Sequence, residues 1–372
     1  MSGPLTTLKV IEFSGLGPAP LAGQLLADLG ADVITVDRAS APADPRDINR
    51  RGKRSVALNL KSEDGLAAAK ALIAPADILI EGFRPGVMER LGLGPEVCPD
   101  TLIYGRMTGW GQTGPWSHTA GHDINYLAMT GALHAIGPAD RPPVAPLNLV
   151  ADFGGGSMFL LLGLLSAVIE RGVSGRGQVV DAAMVDGVPA MMGLLHGMMA
   201  QGKWTKTREA NWLDGGAPFY RCYECADGKY ISVGALEPQF FAELIQRAEI
   251  PHEGGAAQNN ATRWPEDRAQ FAKIFKTRTR DEWATLFEGS DACVAPVLDF
   301  TEAPQHPQNA DRKVFYQEND VIQASPAPRF SRSAPDHPDP PRAVGADTDA
   351  ILQGLGYEAA QLARMRDAGA IT

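Results

Sequence analysis

The sequence has 372 residues, of which 44% are apolar, and carries a formal net charge of −10 at pH 7. This length allows two or three domains with a sizeable core. The acidic balance excludes a nucleic-acid-binding role, which needs a dominant basic surface. Residues 1–7 have neither the basic start nor the apolar core of a secretory signal, and the final Gly-Ala-Ile-Thr is unlike a peroxisomal address. We therefore expect a cytoplasmic protein.

Strands and helices alternate through the first 190 residues. Short apolar stretches predict strands at 8–13, 33–36, 55–58, 78–80 and 102–106. Helical patterns between them cover 20–29 and 63–74. This rhythm is typical of a parallel sheet wrapped by helices. We predict an α/β fold whose large domain, residues 1–190, is Rossmann-like.

The alternation is lost beyond residue 190. Residues 191–216 are predicted to be a connector, followed by a smaller α+β domain over 217–322. That domain opens with two strands joined at Asp227-Gly228, a typical turn pair. The segment 323–372 begins with a proline-rich extended stretch, and Asp347 is predicted to cap a terminal helix.

Two further features limit the classes of site. Cys222 and Cys225 form a C-x-x-C within the predicted hairpin, without the second pair or nearby histidines that zinc requires. We interpret them as reduced structural thiols and predict no metal site. The apolar run 158–169 is too short to cross a bilayer and predicts a buried helix, so no membrane insertion is expected.

Two motifs bring together opposite kinds of proton carrier. G-H-D-I-N-Y (121–126) contains His122, and V-A-D-F-G-G-G-S (150–157) contains Asp152. A histidine can take a proton near neutral pH, and a desolvated carboxyl group can return one. Each residue alone is more often structural, as a buried histidine or a turn-forming aspartate. Together they predict a centre that moves a proton from one face of a carbon to the other.

Glycines precede two predicted helices beside these residues. Gly121 precedes a helix predicted over 122–132, and Gly154-Gly155-Gly156 precedes one predicted to begin near Ser157. Glycine lets the backbone approach a ligand closely, so both helix N-termini could stabilise negative charge. Such an N-terminus would lower the pKa of Asp152, whereas burial would raise it, and the sequence leaves the outcome open.

A dinucleotide site is an alternative interpretation of the N-terminal region. Gly15-Leu16-Gly17 after the first strand, with Asp37 ending the second, imitates the Rossmann fingerprint. The third glycine of the pattern is replaced by Pro20, and Pro18 precedes it. Proline lacks the N–H that would bind a pyrophosphate. We therefore disfavour a nicotinamide cofactor and expect no cofactor.

A cluster of basic residues stands between 38 and 61, opposed in sequence only by Asp44 and Asp47. Such a strip in an acidic protein predicts attraction of one polyanion, although a solvated charged loop would have the same pattern. Its members are Arg38, Arg46, Arg50, Arg51, Lys53, Arg54 and Lys61.

Several longer segments accompany these motifs. They are L-K-V-I-E-F (8–13), L-A-D-L-G-A-D-V-I-T-V-D-R (26–38), E-G-F-R-P-G-V-M-E-R-L-G-L-G (81–94), R-M-T-G-W-G-Q-T-G-P (106–115), G-R-G-Q-V-V-D-A-A-M-V-D-G (175–187) and A-L-E-P-Q-F (235–240). In combination the chain resembles the family III coenzyme A transferases and, within them, the α-methylacyl-coenzyme A racemase branch. The resemblance implies that the segment 323–372 rejoins the large domain and that the protein is an interlocked homodimer.

The resemblance also implies roles for individual residues. His122 and Asp152 would each serve one face of the substrate, and Glu237 would support His122 from the other subunit. The alternative for Glu237 is a purely structural role as the N-cap of the following helix. The implied contacts with coenzyme A are Arg38, Leu58, Asn59, Leu60, Lys61, Gly82, Phe83, Arg84, Arg90, Gly121, Asp123, Ile124, Asn125 and Tyr126.

The predicted activity is the interconversion of (R)- and (S)-2-methylacyl-coenzyme A through an enolate, with coenzyme A present only as part of the substrate. One rival is coenzyme A transfer with Asp152 as nucleophile. The histidine at 122 opposes it, because transferase relatives usually have an aromatic residue there. A second rival is an acyl-coenzyme A binding protein without catalysis, which the retention of all three candidate catalytic residues disfavours.

Overall fold

A computed structural model describes residues 2–38, 44 and 46–372. The first half of the chain contains β1 (Lys9–Phe13), α1 (Pro18–Asp28), β2 (Asp32–Asp37), β3 (Arg54–Ala57), α2 (Glu63–Ile73), β4 (Ile78–Glu81), α3 (Val87–Arg90), β5 (Ile103–Thr108), α4 (Asp123–Met129), a π-helical segment (Leu149–Met158), α5 (Phe159–Ser174), β6 (Val179–Ala183) and α6 (Met184–Met191). The second half contains α7 (Gly193–Ala200), β7 (Tyr220–Glu224), β8 (Tyr230–Gly234), α8 (Pro238–Arg247), α9 (Trp264–Phe275), α10 (Arg280–Phe287), β9 (Val294–Pro296), α11 (Pro307–Asp311), β10 (Phe315–Glu318), β11 (Val321–Ala324), α12 (Thr348–Gly354) and α13 (Ala359–Asp367).

The large sheet has six parallel strands in the order β3-β2-β1-β4-β5-β6. Its central strands are buried on both faces, as the apolar stretches of the sequence predict. The strand order changes direction at β1 and β4, and ligands bind at the carboxyl edge beside such a point. The predicted α/β class with a Rossmann-like parallel sheet is confirmed.

The chain divides into two compact units. The larger contains the residues up to Thr130, Leu147–Met191 and Gln308–Thr372, and the smaller contains Gly131–Pro146 and Met192–Pro307. The predicted large domain returned only at residue 323, fifteen positions after Gln308. The segment Gly131–Pro146, between the two proton-carrier motifs in sequence, was predicted within the large domain and groups here with the smaller unit.

The small unit contains the predicted hairpin. Strands β7 and β8 pair antiparallel and a third short strand, β9, joins them. Cys222 is exposed and Cys225 is buried, and both are free thiols. Burial raises the pKa of Cys225 to about 11, so it stays protonated. Among the described residues no group of three or more acidic, cysteine or histidine side chains is arranged to hold a metal ion.

Five of the seven cations in the basic strip form ion pairs, four of them with carboxylates outside the strip. Arg50 binds Asp37, Arg51 binds Asp28, Lys53 binds Glu12, Arg54 binds Asp32, and Arg46 binds Asp44. Interpretation of the whole strip as an anion-binding surface is therefore wrong, because sequence distance conceals four of these five partners. Arg38 and Lys61 are exposed, and neither side chain has a hydrogen bond or ion pair among the described residues.

The C-terminal segment packs against β3 and the loop that follows it. Gly345 N–H donates to Ser55 Oγ at 2.8 Å, and Asn59 N–H donates to the Ala370 carbonyl at 2.8 Å. Asp347 stands at the N-cap position of α12, as predicted, but its carboxylate accepts from Ser55 N–H and Arg342 instead of the helix amides. The predicted cap therefore joins two segments instead of ending a helix.

The helix that carries Asp152 is longer than predicted. Together the π-helical segment and α5 make a continuous helix of 26 residues, Leu149–Ser174, which by length and composition could cross a membrane. Within this chain 33% of its most apolar part is buried. Leu162, Ile169 and Val173 are 61%, 74% and 90% exposed, so the expectation of a fully buried helix is wrong for the single chain.

The buried ion pair between Lys53 and Glu12 generates a stability prediction. Their side chains meet at 2.6 Å in the interior, and Lys53 also donates to the Pro20 carbonyl. Burial raises the pKa of Glu12 and lowers that of Lys53, and the contact between them opposes both shifts. We expect Lys53→Met to lower the free energy of unfolding by about 3–5 kcal/mol, because an unpaired carboxylate remains buried.

Chemical denaturation measures this difference. The double variant Lys53→Met/Glu12→Gln should recover most of the loss, since no unpaired charge remains. Arg46→Met, which breaks an exposed ion pair, is the matched control and should leave the free energy of unfolding unchanged. If the single and double variants lost the same free energy of unfolding, the buried unpaired carboxylate would not be the cause of the loss.

Candidate active site

The two predicted proton carriers lie on neighbouring segments of the large unit. His122 is exposed at the N-cap position of α4, and Asp152 is partly exposed within the first turn of the π-helical segment. That helix begins at Leu149, not near Ser157 as predicted. The three glycines after Asp152 consequently lie inside the helix and not ahead of it.

A buried carboxylate joins these two segments. Asp123, directly after His122, is 7% exposed, and its Oδ2 accepts the N–H of Ala151 at 2.9 Å and that of Asp152 at 2.8 Å. The first amides of a helix have no intrahelical acceptor, and Asp123 supplies one. The start of α4 and the turn that carries Asp152 are therefore bound together.

The surroundings of Asp152 favour its protonated form. Burial raises the pKa of this carboxyl group, and the negative charge of Asp123 raises it further. A hydrogen bond from Asn148 and the positive charge of His122 act in the opposite direction. The sequence left open whether a helix N-terminus would lower this pKa, and in the structure the net direction is upward.

The loop between β1 and α1 faces the Asp152 carboxyl group. A Cβ atom at Gly17 would lie 3.6 Å from Asp152 Oδ2, and Gly17 has φ near +74°, which favours glycine. Ser157 Oγ donates to the Pro18 carbonyl at 2.8 Å and ties the Asp152 helix to the first turn of α1. Gly17 and Ser157 were not predicted as site residues, although both lie in motifs that the sequence analysis singled out.

The same loop does not fit a dinucleotide. Asp37, which would have to bind a ribose hydroxyl, is buried and accepts two hydrogen bonds from Arg50 and one from Ser55. Pro18 and Pro20 remove two N–H groups from the first turn of α1. The resemblance to a nicotinamide fingerprint is therefore superficial.

The glycines after Asp152 allow helices to pack closely. A Cβ at Gly187, in α6, would lie 1.9 Å from the Gly155 carbonyl oxygen, and one at Gly155 would meet Val188 at 2.7 Å. Gly156 packs in the same way against Met184 and Pro18. The interpretation that these glycines let the backbone approach a ligand is wrong for Gly155 and Gly156, since their free space is filled by α6 and α1.

Aromatic rings line the strand side of the His122 segment. Trp110 contacts Tyr126 edge-on at 4.7 Å and Trp116 at 4.9 Å between ring centres. The Tyr126 hydroxyl donates to the Gly121 carbonyl, and a Cβ at Gly121 would clash with the Tyr126 ring. Burial and the charge of Asp152 raise the pKa of Tyr126, while Arg84 lowers it. Trp110 and Trp116 were missed, although Trp110 stands in a motif quoted for the family.

The predicted coenzyme A contacts follow the carboxyl ends of three parallel strands. Arg38 follows β2, Leu58 to Lys61 follow β3, and Gly82 to Arg84 follow β4, so the sheet brings them to one edge. Arg38, Lys61, Gly82 and Arg84 are exposed there. Arg90 in α3 and Ile124 and Asn125 in α4 are also exposed. The side chains of Leu58, Asp123 and Tyr126 are buried instead.

A buried network that the sequence did not reveal holds the loop after β4. Glu81 accepts the N–H of Phe83 at 2.7 Å and the Nε–H of Arg106 at 2.9 Å. Arg106 also donates to Glu89 in α3 at 2.7 Å. One guanidinium from β5 thus fixes both ends of the segment that carries Arg84 and Arg90.

Glu237 belongs to the small unit. It occupies the N-cap position of α8, as predicted, but makes no side-chain capping hydrogen bond. Its exposed carboxylate has no hydrogen-bond partner among the described residues. The interpretation of Glu237 as a purely structural helix cap is therefore wrong. Its carboxylate remains available to another group.

Comparisons with known proteins identify the family and agree with the fold. The family model for CoA-transferase family III matches residues 5–348. The chain belongs to this family. It is 42% identical to the α-methylacyl-CoA racemase of Mus musculus, covering 97% of this chain and 96% of that protein, and 42% identical to that of Homo sapiens, covering 95% and 94%. A crystal structure of a CAIB/BAIF family protein from Brucella suis superposes with a TM-score of 0.80 at 26% identity, covering 95% of this chain and 100% of that one. The resemblance on which the sequence interpretation rested is confirmed.

The close approach of α6 to the Asp152 helix generates a prediction. We expect Gly187→Ala to displace the turn that carries Asp152, because the added methyl group would overlap the Gly155 carbonyl. Overpacking of this kind costs about 1–3 kcal/mol of stability, and a displacement of about 1 Å at a reacting group can cost about 100-fold in kcat.

Gly172→Ala is the matched control, because Gly172 lies in α5 with open space around its Cβ position. It should retain activity and raise stability by up to about 1 kcal/mol through helix propensity. Turnover and denaturation of both variants test the idea. Wild-type turnover in Gly187→Ala would refute it.

Proposed function

We propose that this protein is a racemase that interconverts (R)- and (S)-2-methylacyl-coenzyme A thioesters without a cofactor. The observation that carries the proposal is the linkage of His122 and Asp152 through Asp123, with the pKa of Asp152 raised. The 42% identity to α-methylacyl-CoA racemases over nearly the whole chain supports it. Because the proposed substrate is a branched acyl thioester, we also assign the reaction to fatty acid metabolism.

The chemistry requires stabilisation of an enolate. If the pKa of the α-carbon exceeds that of a neutral base by about ten units, the mismatch is about 14 kcal/mol. One oxyanion donor supplies about 3–4 kcal/mol, so several donors and exclusion of water are needed. The sequence offered two helix N-termini. The amides of Ala151 and Asp152 are already bound by Asp123, so we assign the enolate oxygen to the first turn of α4.

The two carriers exchange one proton with the substrate. His122 takes the α-proton from one face, and the electron pair of the C–H bond passes into the enolate. Asp152, protonated at the start, gives a proton to the opposite face. The reverse reaction uses the same two groups in exchanged protonation states, so no external acid is consumed. A raised pKa on Asp152 serves this cycle, because a carboxyl group that stays ionised could not act as the acid.

Coenzyme A transfer is the rival within the family. It would use the Asp152 carboxylate as a nucleophile that forms an acyl anhydride. The burial and the Asp123 charge that favour protonated Asp152 disfavour that nucleophile. The transfer reaction also has no use for His122. Both observations favour racemisation.

Coenzyme A would bind along the carboxyl edge of the sheet. Arg38 and Lys61 are exposed cations without partners among the described residues, and Arg84 and Arg90 lie beyond β4. A planar guanidinium suits a phosphate group. We assign the phosphates of coenzyme A to this set, with Arg38 as the principal contact. The apolar acyl group would then extend toward Asp152 and the Tyr126 ring.

We further propose a homodimer in which Glu237 of one chain supports His122 of the other. A carboxylate on one imidazole nitrogen orients the ring and stabilises its charged form. The exposed apolar stripe formed by Leu162, Ile169 and Val173 on α5 supports a second copy as its cover. We therefore assign this helix to contact between protein chains and not to a membrane.

Isotope exchange tests the division of labour between the two carriers. One enantiomer of a 2-methylacyl thioester is incubated in deuterated water without an acceptor acid. The wild type should lose configuration and incorporate deuterium at the α-carbon. Asp152→Asn should exchange the proton of one enantiomer through His122 with retention, and His122→Ala should prefer the other enantiomer. Both should lose racemisation in both directions.

Asp140→Asn, an exposed position in the small unit, is the control and should behave as the wild type. Exchange of the same enantiomer by both active-site variants would exclude a two-base mechanism. Loss of acyl transfer in Asp152→Asn, with an unaffected His122→Ala, would identify a transferase.

Subunit mixing tests the shared site. Inactive His122→Ala and Glu237→Ala chains are mixed under conditions that reassemble dimers. One of the two sites in each mixed dimer then has both wild-type residues, and part of the activity should return. Mixing His122→Ala with Asp152→Asn is the control without recovery, because both residues belong to one chain's site. No recovery in verified mixed dimers would count against the assignment of Glu237.

A further inference from the structure

The Asp123 carboxylate carries a role that its predicted contact with coenzyme A does not explain. Its side chain is buried, and one of its oxygens accepts the amides of Ala151 and Asp152. We propose that Asp123 is a positioning residue of the reaction, which holds His122 and Asp152 at a fixed separation and uses its negative charge to keep Asp152 able to carry a proton. This inference rests on the racemase function proposed above.

The positioning follows from chain connectivity. His122 is bonded directly to Asp123, and the backbone N–H of Asp152 is hydrogen-bonded to Asp123 Oδ2 at 2.8 Å. The path between the two carriers therefore passes through one side chain and one hydrogen bond. A proton must leave one face of the substrate carbon and return to the other. The distance between His122 and Asp152 must therefore let both side chains reach the same carbon from opposite faces.

The charge needs a separate explanation. Asp123 Oδ1 is buried and has no hydrogen-bond partner among the described residues. A buried carboxylate with half its acceptor capacity unused is costly. The two amides would be satisfied equally well by the neutral side-chain oxygen of an asparagine. An anion at this position is thus unnecessary for the hydrogen bonds, and Asp152 is the group that its charge affects.

The other groups around Asp152 act in different directions. On α4, His122 favours the ionised carboxylate, while Tyr126 is a neutral hydroxyl whose own charge is opposed by Asp152. Asn148, at the N-cap position of the π-helical segment, also favours ionisation of Asp152 through a hydrogen bond. Arg84, beyond β4, acts on Tyr126. Of the described groups that act on Asp152, Asp123 is the one whose charge opposes ionisation.

The pair of carriers is active when it holds one proton in total. Adding a second proton ends activity at low pH, and this step defines the acid limb of the kcat/KM profile. Removing the charge of Asp123 makes Asp152 harder to protonate. The acid limb should then move to lower pH.

The test compares three variants. Asp123→Asn keeps an acceptor oxygen for both amides and removes the charge. Asp123→Ala removes both, and we expect about 100-fold lower kcat from the lost positioning. Asn148→Ala removes a hydrogen bond that favours ionised Asp152, so its acid limb should move to higher pH. The KM for the thioester should stay near the wild-type value in all three.

A second measurement does not depend on turnover. The ¹³C signal of the Asp152 carboxyl carbon, identified as the signal missing from Asp152→Asn, is titrated in ligand-free protein. It should titrate at lower pH in Asp123→Asn than in the wild type. A wild type that shows this titration but no racemisation would refute the proposed function and leave the charge role of Asp123 intact.

Each other result has a defined meaning. An unchanged Asp152 titration in Asp123→Asn would overturn the charge role. A raised KM with normal kcat would instead indicate that Asp123 contacts coenzyme A, as first predicted. Failure of Asp123→Asn to fold would also overturn the proposal, since the charge would then be a requirement of the fold and not of the reaction.

Discussion

The hydrogen bonds from the amides of Ala151 and Asp152 to the Asp123 carboxylate are the contact on which the site depends. They cap the first turn of the π-helical segment and join it to the start of α4. They also remove these two amides from the set that could bind an enolate oxygen. Under the proposed function, the enolate oxygen is therefore assigned to the start of α4, next to His122. Structure and chemistry are thus arranged around a residue that need not touch the substrate.

The helices behind this contact hold it in place. Gly155 and Gly187 let α6 approach the π-helical segment to a distance that no Cβ would allow. Ser157 binds the same segment to the first turn of α1, where Gly17 faces the Asp152 carboxyl group. The burial that raises the pKa of Asp152 follows from this packing. A small displacement of α6 or α1 would therefore change both the place and the acidity of the carboxyl group.

An acidic protein that binds a polyanion must separate structural cations from binding ones. Here the cations at 50, 51, 53 and 54 form ion pairs with carboxylates of β1, β2 and α1, including the buried Lys53–Glu12 pair. Arg38 and Lys61, at the carboxyl edge, are left without partners among the described residues. Under the proposed function, these few exposed groups and not the net charge would attract the phosphates of coenzyme A.

Sequence alone determined much of this protein. Periodicity predicted the parallel sheet, because buried parallel strands read as short apolar runs. Spacing and residue type selected His122 and Asp152, since few side chains can move a proton near neutral pH. Motifs of the family identified the family itself, and the hairpin around Asp227-Gly228 followed from turn chemistry.

Only the tertiary structure decided the remainder. The helix start at Leu149, the part of Asp123, the Arg106 network and the pairing of the basic strip all depend on contacts between residues far apart in the chain. Local patterns contain no information about such partners. The pKa of a side chain cannot be predicted from local sequence either, because it depends on burial and on charges brought close by folding. The sequence could name Asp152, and only the fold could give it an environment in which to hold a proton.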